Sequence, residues 1–196
     1  MRDFPYALPQ IKVLSASDVD EMRQCIETHK PFIAKGLANA WPLMQEVSQR
    51  AAGSDRINLF TELFNGAKIP YSSIPPEQEG DFGIGEDLKA NFRFDDRIAP
   101  ADEFFKAIND LIENPTGACV YAQSLDVADY PDISSRLTRL DSLVDEDLYR
   151  YSRIWFGSGN QIVDLHYDNA RNFIAMIEGV KRITLFPPEA LPYIYP

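Results

Sequence analysis

The chain is poor in the residues that usually announce a site, with 2 histidines and 2 cysteines in 196 residues. Cys25 and Cys119 lie inside apolar stretches and not at metal spacing, so neither a zinc cluster nor a disulfide framework is indicated. Both read as buried free thiols of a reducing compartment. No cluster of lysine and arginine stands out, and the formal net charge of −11 gives nothing to attract a phosphate backbone, so nucleic acid is not expected as a partner. No apolar run approaches the length of a membrane helix, and the opening Met1-Arg2-Asp3-Phe4-Pro5-Tyr6 lacks the apolar core of a secretory leader. Internal repeats and low-complexity tracts are absent too. Together these absences lead to the expectation of a soluble cytoplasmic protein that does not engage a membrane.

What is present suits a single folded domain with a small N-terminal extension. Hydrophobic residues make up 45% of the chain and aromatics 12%, enough to fill a core or line a cavity. Residues 11–14 read as a short strand after a proline-marked extended start. A helix is expected from Ser17 to about His29, with Val19, Met22 and Ile26 on one side. Residues 31–36 read as a strand ending in a glycine turn, and a second helix is expected from Trp41 to about Ala52, closed by Gly53. Residues 75–80 form a turn-rich loop, and residues 91–94 alternate polar with aromatic as a half-buried strand does. The strongest helix spans residues 100–114, where Phe104, Phe105, Ile108, Leu111 and Ile112 make an apolar stripe behind Pro100, Asp102 and Glu103. From Cys119 onward the pattern turns to strands, at residues 120–123, 151–156, 162–168, 172–177 and 182–186, with hairpin turns at residues 157–160 and at Glu178-Gly179. Strands following helices without βαβ alternation indicate an antiparallel sheet or barrel.

The candidate chemistry lies in Val163-Asp164-Leu165-His166-Tyr167-Asp168. A strand sends residues i and i+2 to one face, which would aim Asp164, His166 and Asp168 at one interior. Three inward polar groups are costly unless paired or bound to metal. One imidazole and one carboxylate are two thirds of the facial triad that holds non-haem Fe(II) and leaves open positions. A lone His-x-Asp is weak evidence, but here it takes one of only two histidines. Lys181 begins the next apolar strand. By itself it reads as an exposed lysine, and in a barrel it would be a buried cation able to capture a carboxylate.

His166-Tyr167-Asp168, Asn172-Phe173, the turn at Gly179, Lys181-Arg182 and Leu185-Phe186-Pro187-Pro188 together resemble the core of the JmjC/cupin-like 2-oxoglutarate oxygenases, in particular their asparaginyl hydroxylase branch. The likeness is close over residues 155–193. It is looser earlier, where residues 32–36 and Trp41-Pro42 resemble the family's opening and Tyr121-Ala122-Gln123 its entry into the barrel. The resemblance implies a mainly β fold with flanking helices, a cupin-type double-stranded β-helix or jelly roll. Residues 1–116 would form an N-terminal helical and strand region flanking the barrel, and residues 117–196 the first part of the barrel core. It also implies Fe(II) held by His166, Asp168 and a distal histidine, with 2-oxoglutarate and O₂ as cosubstrates. Lys181 would pair with the far carboxylate of 2-oxoglutarate, Tyr121 and Asn172 would hydrogen-bond it, and Gln123 would lie near the substrate. The family's reaction converts 2-oxoglutarate to succinate and CO₂ while hydroxylating a C–H bond.

Three departures qualify the resemblance. His29, the other histidine, is expected at a helix end and not at the metal, so the distal ligand, like the later barrel strands, is expected beyond Pro196. Val163 stands where relatives commonly carry a threonine, a loss of one hydrogen bond worth about 1 kcal/mol. Asp164 stands where they commonly carry proline. The expected function is hydroxylation of a protein or peptide side chain, with a small molecule or tRNA as other substrates and a homodimer as an allowed assembly. The competing readings are a non-catalytic cupin-fold binding module with an incomplete metal site, and a cupin of the isomerase kind.

Overall fold

A computed structural model describes residues 10–83, 94–168 and 170–194. The expected extended start over residues 1–9, and Asn91 to Arg93 of the expected strand at residues 91–94, lie outside these.

Strand β1 (Lys12–Ser15) and strand β2 (Phe32–Lys35) pair in parallel, Lys12 opposite Phe32, and helix α1 (Val19–Glu27) crosses between them. Parallel strands need such a crossover, so the chain opens with a small βαβ unit. This corrects the expectation of no βαβ alternation. Two strands of four residues are too short to show a period, and what pairs them is burial of Met22 and Cys25 of α1 against Leu14. Asp18 accepts hydrogen bonds from the Ser15 backbone N–H and hydroxyl at 2.8 and 2.9 Å, which hold its carboxyl below the ordinary range. Asp20 and Glu21 then complement the dipole of the first turn. His29, at φ 54°, takes the chain out of helix.

Helix α2 (Pro42–Gln49) places proline in its first turn and buries Leu43 and Val47. It is shorter than the sequence suggests, because the chain reaches an extended conformation at Arg50. The sequence reading leaves the next stretch unassigned, and it is helix α3 (Ser54–Phe64). Ile57, Leu59, Phe60, Leu63 and Phe64 are its buried residues, and Asn65 closes it in the left-handed conformation.

Strands β3 (Lys68–Ile74), β4 (Asp95–Pro100), β5 (Cys119–Asp126) and β6 (Arg153–Gly157) form one antiparallel sheet in the order β4-β3-β5-β6. It draws strands from both sides of residue 116. Pro70 is tolerated inside β3 because pairing with β5 begins only at Ser72. Helix α4 (Ala101–Glu113) starts directly after β4 and buries Phe104, Phe105 and Ile108 completely.

The main core lies between α2, α3, α4 and one face of the sheet. Phe156 of β6 packs edge-on to Phe60 at 4.8 Å and to Phe105 at 4.9 Å, and Phe64 tilts against Phe105 at 5.2 Å. Each such pair is worth about 0.5–1.5 kcal/mol beyond its buried area. Two short helices complete the chain, α5 (Pro131–Ser134) against the core and α6 (Leu191–Ile194) at its end. Among the described residues no helix is long and apolar enough to cross a membrane.

The strands expected at residues 162–168, 172–177 and 182–186 do not form among the described residues, where Ile162 makes only a single bridge to Asp81. Alternation specifies a strand only where a ladder partner exists and one face is buried. Here Leu165, Ile174 and Ile183 remain 43, 56 and 52% exposed. Phe173 turns instead to Phe32, centroid to centroid 6.0 Å, and Glu178 pairs with Arg56 of α3 at 2.5 Å.

Candidate metal centre

The sheet face opposite the helices carries a smaller cluster of Ile74, Phe82, Cys119 and Tyr121. Phe82 sets its ring edge-on to Tyr121 at 5.5 Å. Burial pushes the Tyr121 phenol above its ordinary value of 10.0 and the Cys119 thiol above 9.0, so both stay protonated near neutrality.

From β6 the chain turns through Gly159 and Asn160, both at positive φ, and lies down beside residues 80–82. Ile162 N–H donates to the Gly80 carbonyl at 2.8 Å, and Phe82 N–H donates to the Ile162 carbonyl at 2.9 Å. Glycine is required at 80. Its φ is +82°, and a Cβ there would sit 2.1 Å from the Asn160 carbonyl oxygen. One step on, a Cβ at Gly83 would lie 2.4 Å from the Asp164 carboxylate, so Asp164 is turned toward this segment.

His166 and Asp168 follow on an exposed, irregular stretch. The His166 Nδ1 lies 2.7 Å from the Asp164 carbonyl oxygen. A carbonyl only accepts, so Nδ1 is the donor, which in the neutral ring leaves the Nε2 lone pair for another partner. The Asn172 side-chain amide donates to the Asp168 carboxylate. An imidazole and a carboxylate are the residue types that occupy two positions of a facial iron site. Among the described residues no group of three His, Cys, Asp or Glu completes it. His29 is not recruited, since its Nε2 faces the Arg171 guanidinium at 3.4 Å.

The other expected residues divide. Tyr121 and Gln123 lie two positions apart on β5, Tyr121 buried and Gln123 exposed at a cleft. Asn172 joins Asp168. Lys181 is exposed, and among the described residues no hydrogen bond or ion pair links it to Tyr121 or to the His166–Asp168 pair. The sequence reading misses Phe82, Gly80 and Gly83, which position Tyr121 and the approach to His166. The glycines flanking Asp81-Phe82 were the available signal, and they read equally as an ordinary turn.

Comparison with known proteins places these features. The family model described as a cupin-like domain matches residues 18–196. A JmjC domain-containing protein F from Dictyostelium discoideum is 40% identical over 42 residues, which cover 21% of this chain and 9% of the relative. The family match spans nearly the whole chain, and the antiparallel sheet with flanking helices agrees with it. The chain therefore belongs to the cupin-like domain family, with a jelly-roll-like fold of the cupin class.

Proposed function

We propose that this chain carries the core of an Fe(II)- and 2-oxoglutarate-dependent oxygenase that hydroxylates a protein or peptide side chain. The observation that carries the reading is His166, held by the Asp164 carbonyl with Nε2 open and followed two residues later by the Asp168 carboxylate. Membership of the cupin-like family, and the short likeness to a JmjC domain-containing protein, support it. When bound, iron would activate O₂ as the oxidant, one oxygen atom entering succinate as 2-oxoglutarate loses CO₂ and the other becoming the hydroxyl group of the substrate.

The chain's own residues have simpler tasks. His166 and Asp168 hold the metal, with Asn172 fixing the carboxylate's direction. Tyr121, kept neutral by burial, offers a phenolic proton to a carboxylate oxygen of the cosubstrate. Lys181 supplies the countercharge for the other end of that dianion.

The test is succinate formation by the protein supplied with Fe(II), 2-oxoglutarate and O₂, alongside Mn(II) affinity measured by calorimetry. Asp168→Ala is expected to abolish turnover and weaken Mn(II) binding by at least ~10-fold, the scale of losing a ligand or its partner. Lys181→Ala is expected to raise the 2-oxoglutarate requirement while leaving Mn(II) affinity unchanged. Turnover by Asp168→Ala equal to wild type would remove the assignment. The lack of a third donor among the described residues favours a second reading, a cupin-fold binding module. Failure to retain Mn(II), together with no succinate formation, would select it.

A further inference from the structure

Beyond Tyr121, the open face of the sheet leads into a cleft of about 600 Å³ lined by Lys68 of β3, Gln123, Ser124 and Asp126 of β5, Asp129, and Arg153 of β6. A bulge makes this opening. The β5–β6 register shifts between Ala122 and Leu125, and Ser124 takes φ +55°, so Gln123 and Ser124 are exposed in succession. Bulges of this kind re-aim side chains beside binding sites. Gln123 lies two residues from Tyr121 on the same strand, about 7 Å along the chain.

The charges in the cleft are not equivalent. Arg153 is committed, pairing with Asp126 at 3.1 Å and donating to the Ser152 carbonyl at 2.9 Å. Lys68 and Asp129 are exposed, and among the described residues neither has an ion-pair partner. Small-molecule pockets are mainly apolar, and this cleft is lined largely by polar and charged groups. It presents one open cation, one open anion and an uncharged amide.

We propose that this cleft receives a peptide segment that brings an acidic side chain to Lys68 and a basic side chain to Asp129. The inference rests on the oxygenase reading only in that such a segment would be a substrate of that reaction. Specificity then comes from the order of the two charges along the peptide, because a reversed peptide sets like charges together.

The experiment is fluorescence anisotropy with the whole chain and three labelled, acetylated glycine–serine–asparagine peptides. One carries Glu before Lys, one Lys before Glu, and one Gln at both positions. The wild-type protein is expected to bind one charged order roughly 10-fold more tightly than the other two, with the preference fading as salt rises. Lys68→Glu and Asp129→Lys each abolish the preference, and the double variant K68E/D129K transfers it to the opposite order. Both positions are exposed, and unchanged thermal melting confirms that the variants fold. Binding equal for all three peptides, no binding of any, or a preference untouched by either variant overturns the proposal. Because the reading uses neither iron nor 2-oxoglutarate, its failure is separable from failure of the oxygenase assignment.

Discussion

Tyr121 and Cys119 show how single residues couple the sheet's open face to pH. Burial raises both pKa values, so the folded state retains protons that the unfolded chain releases. Their contribution to stability is complete below about pH 9 and is lost as pH rises through the folded-state values. The urea midpoint is therefore expected to fall between pH 8 and pH 10.5, and to fall less in a Tyr121→Phe variant. An equal fall in both proteins would assign the effect to other groups. Phe105 is fully buried and meets the rings of Phe60, Phe64, Phe104 and Phe156. Phe105→Ala should cost about 3–5 kcal/mol in urea unfolding, the usual scale for an aromatic deleted from a core. Residues of this kind were legible in the sequence, since Phe104, Phe105 and Ile108 fall on one helical stripe. Phe82 was not, because its partner Tyr121 is remote in sequence and nothing local to Phe82 records the contact.

Among the elements, legibility followed the presence of a local period. Helix α4 and strands β5 and β6 lie within a few residues of their expected bounds, each having a clear stripe or alternation. Strand β3 was obscured by Pro70, and α1's role as a crossover by the shortness of the strands it joins. The stretch at residues 162–168 alternates well and still forms no strand, because alternation states which face could be buried and cannot provide a ladder partner. The β5 bulge is an element-level feature with a direct test. Ser124 stands at positive φ, where a side chain is strained and glycine is not. Ser124→Gly should stabilise the protein by about 0.5–1 kcal/mol in chemical denaturation, less the entropy glycine adds to the unfolded chain. A destabilisation would mean that the hydroxyl contributes more than the strain removes.

At the scale of the whole molecule, buried apolar contacts and exposed apolar groups are unevenly distributed. The buried part of the main core is drawn from residues 43–133, with Ile154, Phe156 and Ile177 packed on its margin. Later in the chain Leu165, Tyr167, Phe173 and Leu185 remain 43, 81, 44 and 57% exposed. Brief chymotrypsin treatment should therefore cut first between residues 165 and 193, and further digestion should leave a resistant fragment that ends near β6 and is identified by its mass. First cuts inside α3 or α4 would contradict this distribution. The close approach of Gly80 to Asn160 also bears on how the protein is assembled in time. The stretch leading to His166 acquires its path only after two segments remote in sequence have closed on each other, and such closures come at an entropic cost that local helices do not meet. A refolding chain should thus recover its helical signal before the amide protons of Phe82 and Ile162 gain protection from exchange, passing through a species that has the sheet but not yet this closure.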